Sequence, residues 1–333
     1  MDIVDKMFQG DRLALARLLS ILENNTPEVP LVMSRIQQNQ DNGYYIGFTG
    51  APGSGKSTLV DKMILQIRNN NLEVGVVAID PTSPFSGGAI LGDRIRMQNH
   101  ALDPGVFIRS LATRGSLGGL SRAAKNTARI LNASGKDYCI IETVGVGQVE
   151  IDIVDTADTT VVVLMPDTGD SIQAIKAGIM EIADIIVVNK ADLKGTDQLI
   201  ADLMLMLHEN QRHSWWQVPV IATQADKNIG IKELFEKIEE HKEVLKDTGM
   251  LVAKRKEQRV SEFMEIIEQT LLDVILESQK DDSEFCEIIN NVMAGLIDPY
   301  SAAKKVFGNE NLIKRWMMRL SSEILIERRR VDA

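Results

Sequence analysis

Apolar positions along this chain follow three different spacings, and the spacing changes near residues 43 and 248. Up to about residue 40 the leucines recur at intervals of three and four, which predicts helices. From Tyr44 onward, short apolar runs alternate with helical patterns, and after Lys246 only the helical pattern remains. We therefore expect three parts: a helical N-terminal extension (1–42), a central domain (43–248) and a helical C-terminal arm (249–333).

The central part predicts an α/β fold with a mostly parallel sheet flanked by helices. Its apolar runs are nearly continuous, as expected for strands that are buried on both faces. The expected strands are Tyr44–Thr49, Val74–Ile79, Val106–Ser110, Tyr138–Glu142, Thr159–Met165, Ile185–Asn189 and Val218–Thr223. The expected helices between them include 170–183, 196–209 and 232–246. Ligands of such sheets bind where the strands end at their carboxyl termini.

The C-terminal arm predicts four helices, at 251–276, 282–294, 299–306 and 312–327. The first is long and carries a row of apolar residues: Val260, Phe263, Ile266, Ile267, Leu271, Val274 and Ile275. Such a face either packs on the central domain or pairs with a second subunit.

Composition excludes several classes of protein. The 333 residues are 44% hydrophobic and 25% charged, which is ordinary for a globular protein. A net charge of −10 argues against non-specific nucleic-acid binding and against an anionic membrane surface. We find no apolar run of membrane-spanning length and no signal peptide. Cys139 and Cys286 are far apart in apolar settings, so we expect buried thiols and a cytoplasmic location.

A phosphate-binding loop follows the first expected strand. Gly50–Ser57 matches G-x-x-x-x-G-K-[ST], and the residues after it predict a helix. Glycines let backbone N–H groups surround a phosphate, and the helix N-terminus adds positive potential. We expect Lys56 to reach the β- and γ-phosphates and the Ser57 hydroxyl to ligate Mg²⁺. The expected nucleotide contacts here are Gly50, Ala51, Pro52, Gly53, Ser54, Gly55, Lys56, Ser57 and Thr58.

A second motif predicts that the base is guanine, so that GTP and GDP are the ligands. Asn189, Lys190 and Asp192 form N-K-x-D after an apolar strand. A carboxylate at Asp192 accepts two hydrogen bonds from guanine that adenine does not offer. Further along, Gln224, Ala225 and Asp226 stand where such proteins carry a Ser-Ala loop over guanine O6, with Gln224 in place of serine; the backbone N–H of Ala225 is the expected donor.

Acidic residues predict a Mg²⁺ and hydrolysis cluster. We expect the metal ligands to be Ser57, Asp80, Asp93 and Glu142, and the catalytic residues to be Lys56, Glu142 and Asp93. Gly145 is expected to offer its N–H to the γ-phosphate. Val146 follows it, where a water-orienting glutamine is absent, so intrinsic hydrolysis is predicted to be slow. The arginines that could stabilise charge are Arg94, Arg96, Arg109 and Arg114, although a solvated surface arginine is the default interpretation of each.

Several longer motifs carry a family resemblance. They are Asp80–Pro84, Ser86–Met97, Glu142–Gln148, Gly169–Gly178 and Asp298–Tyr300. Together they resemble the MeaB/ArgK family, which are P-loop GTPases of the SIMIBI class and chaperones of adenosylcobalamin-dependent methylmalonyl-CoA mutase and related acyl-CoA mutases. The resemblance covers nearly the whole chain.

The resemblance implies a homodimer formed through the C-terminal helices. It also implies that the protein binds an acyl-CoA mutase, gates the loading of its cobalamin cofactor with GTP, and protects it from inactivation. Segment 169–178, with Lys176, resembles a switch that responds to the mutase. Two residues depart from the family pattern, namely Gln224 and Val149.

Three alternatives remain at this point. A metal-insertion GTPase would need His or Cys ligands near the switches, and the four histidines are scattered. A transport-associated ATPase or kinase would bind ATP, and the Asn189–Asp192 motif argues against ATP. A scaffold with a purely structural nucleotide fits poorly with intact Lys56, Ser57 and Glu142. Sequence does not identify the client mutase, the dimer arrangement or the hydrolysis rates.

Overall fold

The computed structural model describes residues 2–37, 43–80, 100, 102–112, 122–143, 153–166, 179–210 and 215–331. The polypeptide forms two compact units, residues 1–255 and 256–333. Within the described ranges, no helix is long and apolar enough to cross a membrane.

The first unit is built on a seven-stranded sheet in which every pairing is parallel. The strands are β1 (Tyr44–Thr49), β2 (Val74–Asp80), β3 (Val106–Ala112), β4 (Tyr138–Thr143), β5 (Thr159–Leu164), β6 (Ile185–Asn189) and β7 (Val220–Thr223). Their spatial order is β3-β2-β4-β1-β5-β6-β7, with β1 at the centre. The predicted α/β fold is confirmed, and all seven strands lie where the apolar runs predict them.

Helices cover both faces of this sheet. They are α1 (Ile3–Phe8), α2 (Arg12–Glu23), α3 (Val29–Ile36), α4 (Lys56–Asn69), α5 (Arg122–Ala133), α6 (Thr196–Asn210) and α7 (Ile231–Asp247). On one face, α4 and α7 bury residues such as Met63 and Leu234 against β1 and its neighbours. On the other, α1–α3 and α5 bury Leu18 and Ile36 against β2, β3 and β4. The N-terminal extension is thus part of the core of this unit.

The differences from the sequence prediction are small and have local causes. β7 begins at Val220, two residues late, because Pro219 has no N–H to donate to the ladder, although its carbonyl accepts from Ile186 N at 2.9 Å. Most of the helix predicted at 170–183 lies outside the described residues, and its end, Ile179–Ile182, is a 3-10 turn. Cys139 is buried as predicted, whereas Cys286 is only partly buried.

The second unit is helical. It contains most of α8 (Met250–Asp281), followed by α9 (Ser283–Met293), α10 (Pro299–Phe307) and α11 (Glu310–Val331). Its core joins the end of α8 to the later helices and includes Val274, Phe285, Ile288, Leu312 and Trp316. Asp282 begins α9 by accepting from Phe285 N at 3.1 Å, and its carboxylate also binds Arg315.

Candidate functional site: a nucleotide-binding edge of the sheet

The loop between β1 and α4 has a backbone that only glycine adopts easily. Gly50, Gly53 and Gly55 have φ of +138°, +77° and +92°. A Cβ at Gly50 would lie 2.1 Å from the carbonyl oxygen of Val163, and one at Gly55 would lie 2.2 Å from Nδ2 of Asn189. The glycines therefore let the loop pass closely over β5 and β6 while it turns into the helix.

Lys56 is the first residue of α4 and its side chain folds back over this loop. It is 6% exposed, and its Nζ donates to the carbonyl oxygens of Gly50, at 2.6 Å, and Ala51, at 3.0 Å. The first turn of a helix also presents N–H groups that the helix itself leaves unbonded. Ammonium and N–H donors thus converge at the carboxyl end of β1, which is the arrangement that binds a phosphate.

Ser57 and Glu142 meet across the loop. The Ser57 hydroxyl donates to Glu142 Oε1 at 2.6 Å. Glu142 is 5% exposed on β4, in register with Phe48 of β1 and Ala78 of β2. A partly buried hydroxyl in contact with a buried carboxylate offers hard oxygen donors of the kind that Mg²⁺ takes, so this pair fits the metal.

The remaining acidic residues of the predicted cluster are less fully described. Asp80 ends β2, which runs beside β4, so its backbone lies at the same edge of the sheet as Glu142. Asp93 and Gly145 lie outside the described residues, as do segment 169–178, Arg94, Arg96 and Arg114. Arg109 is on β3, and its guanidinium binds Glu23 of α2. That pairing connects β3 to α2 of the N-terminal extension.

Asn189 joins the phosphate loop to the two loops that follow β6 and β7. It is 2% exposed, and its Nδ2 donates to the carbonyl of Ser54 at 2.8 Å. Its Oδ1 accepts from the Thr223 hydroxyl at 3.0 Å and from Ala225 N at 3.2 Å. The Ala225 N–H, expected from sequence to reach guanine O6, therefore bonds Asn189 here.

Residues around Asp192 form an exposed surface next to this junction. Lys190 has a φ of +56°, which turns the chain sharply after β6. Lys227 Nζ lies 3.5 Å from Asp192 Oδ2 and donates to Gln224 Oε1 at 3.0 Å. Asp226 stands in the 3-10 turn Ala225–Lys227. Sequence reasoning did not find Thr223 or Lys227, because neither belongs to a motif and their contacts depend on how two loops meet.

Comparison with known proteins agrees with this geometry. The family model described as methylmalonyl Co-A mutase-associated GTPase MeaB matches residues 15–280. A Pyrococcus abyssi protein named as a GTPase is 53% identical over 77% of this chain and 80% of its own length. GTPase ArgK of Escherichia coli is 34% identical over 77% of this chain and 80% of its own.

Two further relatives extend the comparison. The mouse protein named methylmalonic aciduria type A homolog, mitochondrial, is 32% identical over 77% of this chain and 67% of its own length. A crystal structure described as a LAO/AO transport system kinase superposes with a TM-score of 0.68 at 26% identity, covering 92% of this chain and 95% of the other. The chain therefore belongs to the family of methylmalonyl-CoA mutase-associated GTPases described as MeaB, and it is a GTPase.

Proposed function

We propose that this GTPase is a chaperone of an adenosylcobalamin-dependent acyl-CoA mutase, that it uses GTP to gate cobalamin loading, and that it protects the mutase from inactivation. The observation that carries the proposal is the match of residues 15–280 to a family described by its association with methylmalonyl-CoA mutase. The mouse relative's name refers to methylmalonic aciduria, which supports the same association with methylmalonyl-CoA.

The phosphate loop would hold GTP through its backbone and Lys56. An incoming phosphate draws the Lys56 ammonium, which the Gly50 and Ala51 carbonyls hold above the loop. The N–H groups of the loop and of the first turn of α4 would bind the phosphate oxygens. Because these donors are already arranged, they would stabilise the charge that develops during hydrolysis with little reorganisation.

Ser57 and Glu142 are the described residues that would hold Mg²⁺, with Asp80 and Asp93 as the further assigned ligands. Magnesium bound to a nucleotide neutralises charge on the β- and γ-phosphates. Glu142 is fixed by its hydrogen bond to Ser57, so the acceptor stays aimed at the phosphate end of the site. With Val146 after Gly145, we propose slow intrinsic hydrolysis that the client enzyme accelerates.

Guanine selection is assigned to Asn189, Lys190 and Asp192, together with Gln224, Ala225 and Asp226. Asn189 holds the three loops in one arrangement, and Asp192 is the acceptor for the two N–H groups of guanine. Measured affinities for GDP and ADP test this assignment directly. Equal affinities would contradict it and would revive the kinase alternative, the activity for which the superposed crystal structure is named.

We also propose a homodimer formed through α8. Its middle carries an uncovered apolar stripe that includes Val260, at 62% exposed, and Phe263, at 60% exposed, with Ile267 and Leu271 one and two turns further on. Residues spaced in this way form one face of a helix, and such a face is usually buried by another subunit. Sedimentation of a Phe263→Glu variant tests this: we expect a monomer, while Phe307→Glu, equally apolar and exposed but on α10, should leave the dimer intact.

The client and the gating role need a reconstituted assay. We expect this GTPase to co-purify with an acyl-CoA mutase, to hydrolyse GTP faster in its presence, and to change the rate at which adenosylcobalamin enters the apo-mutase. The absorbance of bound cobalamin reports that rate with GTP, with GDP and with a Lys56→Ala variant. Identical loading rates under all three conditions would contradict the proposal. We also propose that the protein is cytoplasmic and that the chain divides into three parts after residues 42 and 248.

A further inference from the structure

Lys227 connects the two loops that are assigned to the guanine base. Its Nζ donates to Gln224 Oε1 at 3.0 Å on its own loop and lies 3.5 Å from Asp192 Oδ2 on the other. Lys227 is not part of any motif that selects guanine, and Gln224 stands where serine is usual. Gln224, which replaces the usual serine, therefore contacts Lys227, and Lys227 in turn contacts the Asp192 carboxylate.

Backbone hydrogen bonds fix the loop that carries Gln224 and Lys227. Gln224 N donates to Ile229 O and Ile229 N donates to Gln224 O, both at 3.1 Å, which closes the loop on itself. Asn189 also holds it through Ala225 N. Lys227 thus projects from a backbone with little freedom.

Asp192 is less constrained. Its side chain is 47% exposed. Among the described residues, Lys227 is the partner of its carboxylate. A carboxylate that reads guanine must hold both oxygens toward N1–H and the exocyclic amine. A carboxylate that rotates freely loses part of its hydrogen-bond energy to the cost of ordering it.

We propose that Lys227, oriented by Gln224, is a positioning residue that fixes the Asp192 carboxylate and thereby sets the preference for guanine. This inference rests on the proposed reading of guanine by Asp192. An ammonium has three donors and no acceptor, while an ionised carboxylate has about four acceptor sites. Lys227 can therefore occupy one of these sites and leave two for the base, so lysine and guanine bind Asp192 together.

Nucleotide affinities of a Lys227→Met variant test the proposal, with GDP and IDP as probes. Hypoxanthine in IDP lacks the exocyclic amine, so the ratio of the two dissociation constants measures how well Asp192 reads that group. We expect the wild-type preference for GDP over IDP to fall by about threefold to tenfold, the range for one hydrogen bond. Lys227→Arg should restore most of the preference, and Gln224→Leu should lower it by a smaller factor.

Lys232→Met is the matched control, since Lys232 is an exposed lysine that pairs with Glu236 on α7. It should leave the ratio unchanged. Tighter GDP binding by Lys227→Met would overturn the proposal, because it would show that lysine competes with guanine. An unchanged ratio would also overturn it and leave only a surface ion pair. If the wild-type protein itself fails to prefer GDP to ADP, the assigned guanine site fails, and this inference with it.

Discussion

Polar side chains lie at both edges of the sheet, and the two edges use them differently. At the amino edge the buried groups bond one another. Asp158, fully buried, binds Arg255 of α8 through two hydrogen bonds of 2.7 and 3.0 Å and accepts from Tyr45 N at 2.9 Å. Tyr44 bonds Thr159 at 2.5 Å, and Thr159 bonds His241 Nδ1 at 2.8 Å.

At the carboxyl edge the polar groups turn toward loops. Lys56 donates to two carbonyl oxygens of the glycine loop, and among the described residues the half-exposed Asp192 carboxylate contacts Lys227. Carbonyls and a lone ammonium are weaker partners than a bidentate carboxylate. Burial of charge alone therefore does not mark the site. What marks it is charge held by partners that a phosphate or a base can supplement or replace.

The largest expected effect is at Lys56. We expect Lys56→Ala to lower the rate of GTP hydrolysis by about a thousandfold or more, because an ammonium at the transferred phosphate stabilises the transition state. Phosphate release in single-turnover conditions is the measurement. Lys62→Ala on the same helix, where Lys62 pairs with Asp61, is the matched control and should keep its activity. Retained hydrolysis in Lys56→Ala would remove the phosphate assignment.

The next effect is on stability and belongs to the amino edge. Asp158→Ala leaves the mostly buried Arg255 guanidinium without its carboxylate, and we expect the free energy of unfolding to fall by about 3 kcal/mol. Urea denaturation measures the change. Asp137→Ala, at the same edge but exposed and with its carboxylate bonded to Glu73 N, should cost far less. If both substitutions cost the same, the Asp158–Arg255 pair is not what holds the start of α8.

A smaller effect is expected from Glu142→Gln. The amide keeps an acceptor for the Ser57 hydroxyl but removes the negative charge that attracts Mg²⁺. We expect the Mg²⁺ concentration for half-maximal hydrolysis to rise by about tenfold, the lower end of the range for altered metal-site groups. Glu73→Gln, which loses a pair with Lys136 at the opposite edge, serves as the control. An unchanged Mg²⁺ dependence would assign the metal to other carboxylates.

The smallest effect concerns pH. Burial lowers the pKa of His241 below its ordinary value of 6.5, although Asp184, 3.6 Å away, opposes this and Lys254 adds to it. Below pH 6.5 the unfolded chain therefore takes up a proton that the folded chain does not, so the free energy of unfolding falls as the pH is lowered. The loss is at most about 1.4 kcal/mol per pH unit.

A His241→Gln variant isolates the contribution of His241 to this pH dependence. Denaturation of both proteins between pH 5 and pH 8, a range of about three units around the titration of histidine, should give curves whose difference grows toward low pH. The His241 ring contacts the rings of Trp215 and Trp216, so tryptophan fluorescence follows the same transition. Parallel curves would show that His241 titrates alike in both states.

Sequence predicts the fold well because the information is local. Each buried parallel strand is a short apolar run, and the glycine loop with Lys56 is a motif whose spacing depends on the phosphate alone. Long-range pairs escape such reasoning. Asp158 and Arg255 are 97 positions apart, and nothing near either residue names the other. The same holds for Arg109, which reads as a surface or catalytic arginine until α2 brings Glu23 against it.

The packing of α1–α3 on the sheet also has a consequence for synthesis. Leu18, Leu19 and Ile36 leave the ribosome before the strands do, yet the surfaces that bury them include Leu111 and Ile141. About a hundred more residues must be made before the leucines are covered, which takes on the order of 5 to 20 seconds at ordinary elongation rates. During that interval the extension is an exposed apolar segment. A substitution in this segment therefore acts on the exposed nascent chain as well as on the finished fold.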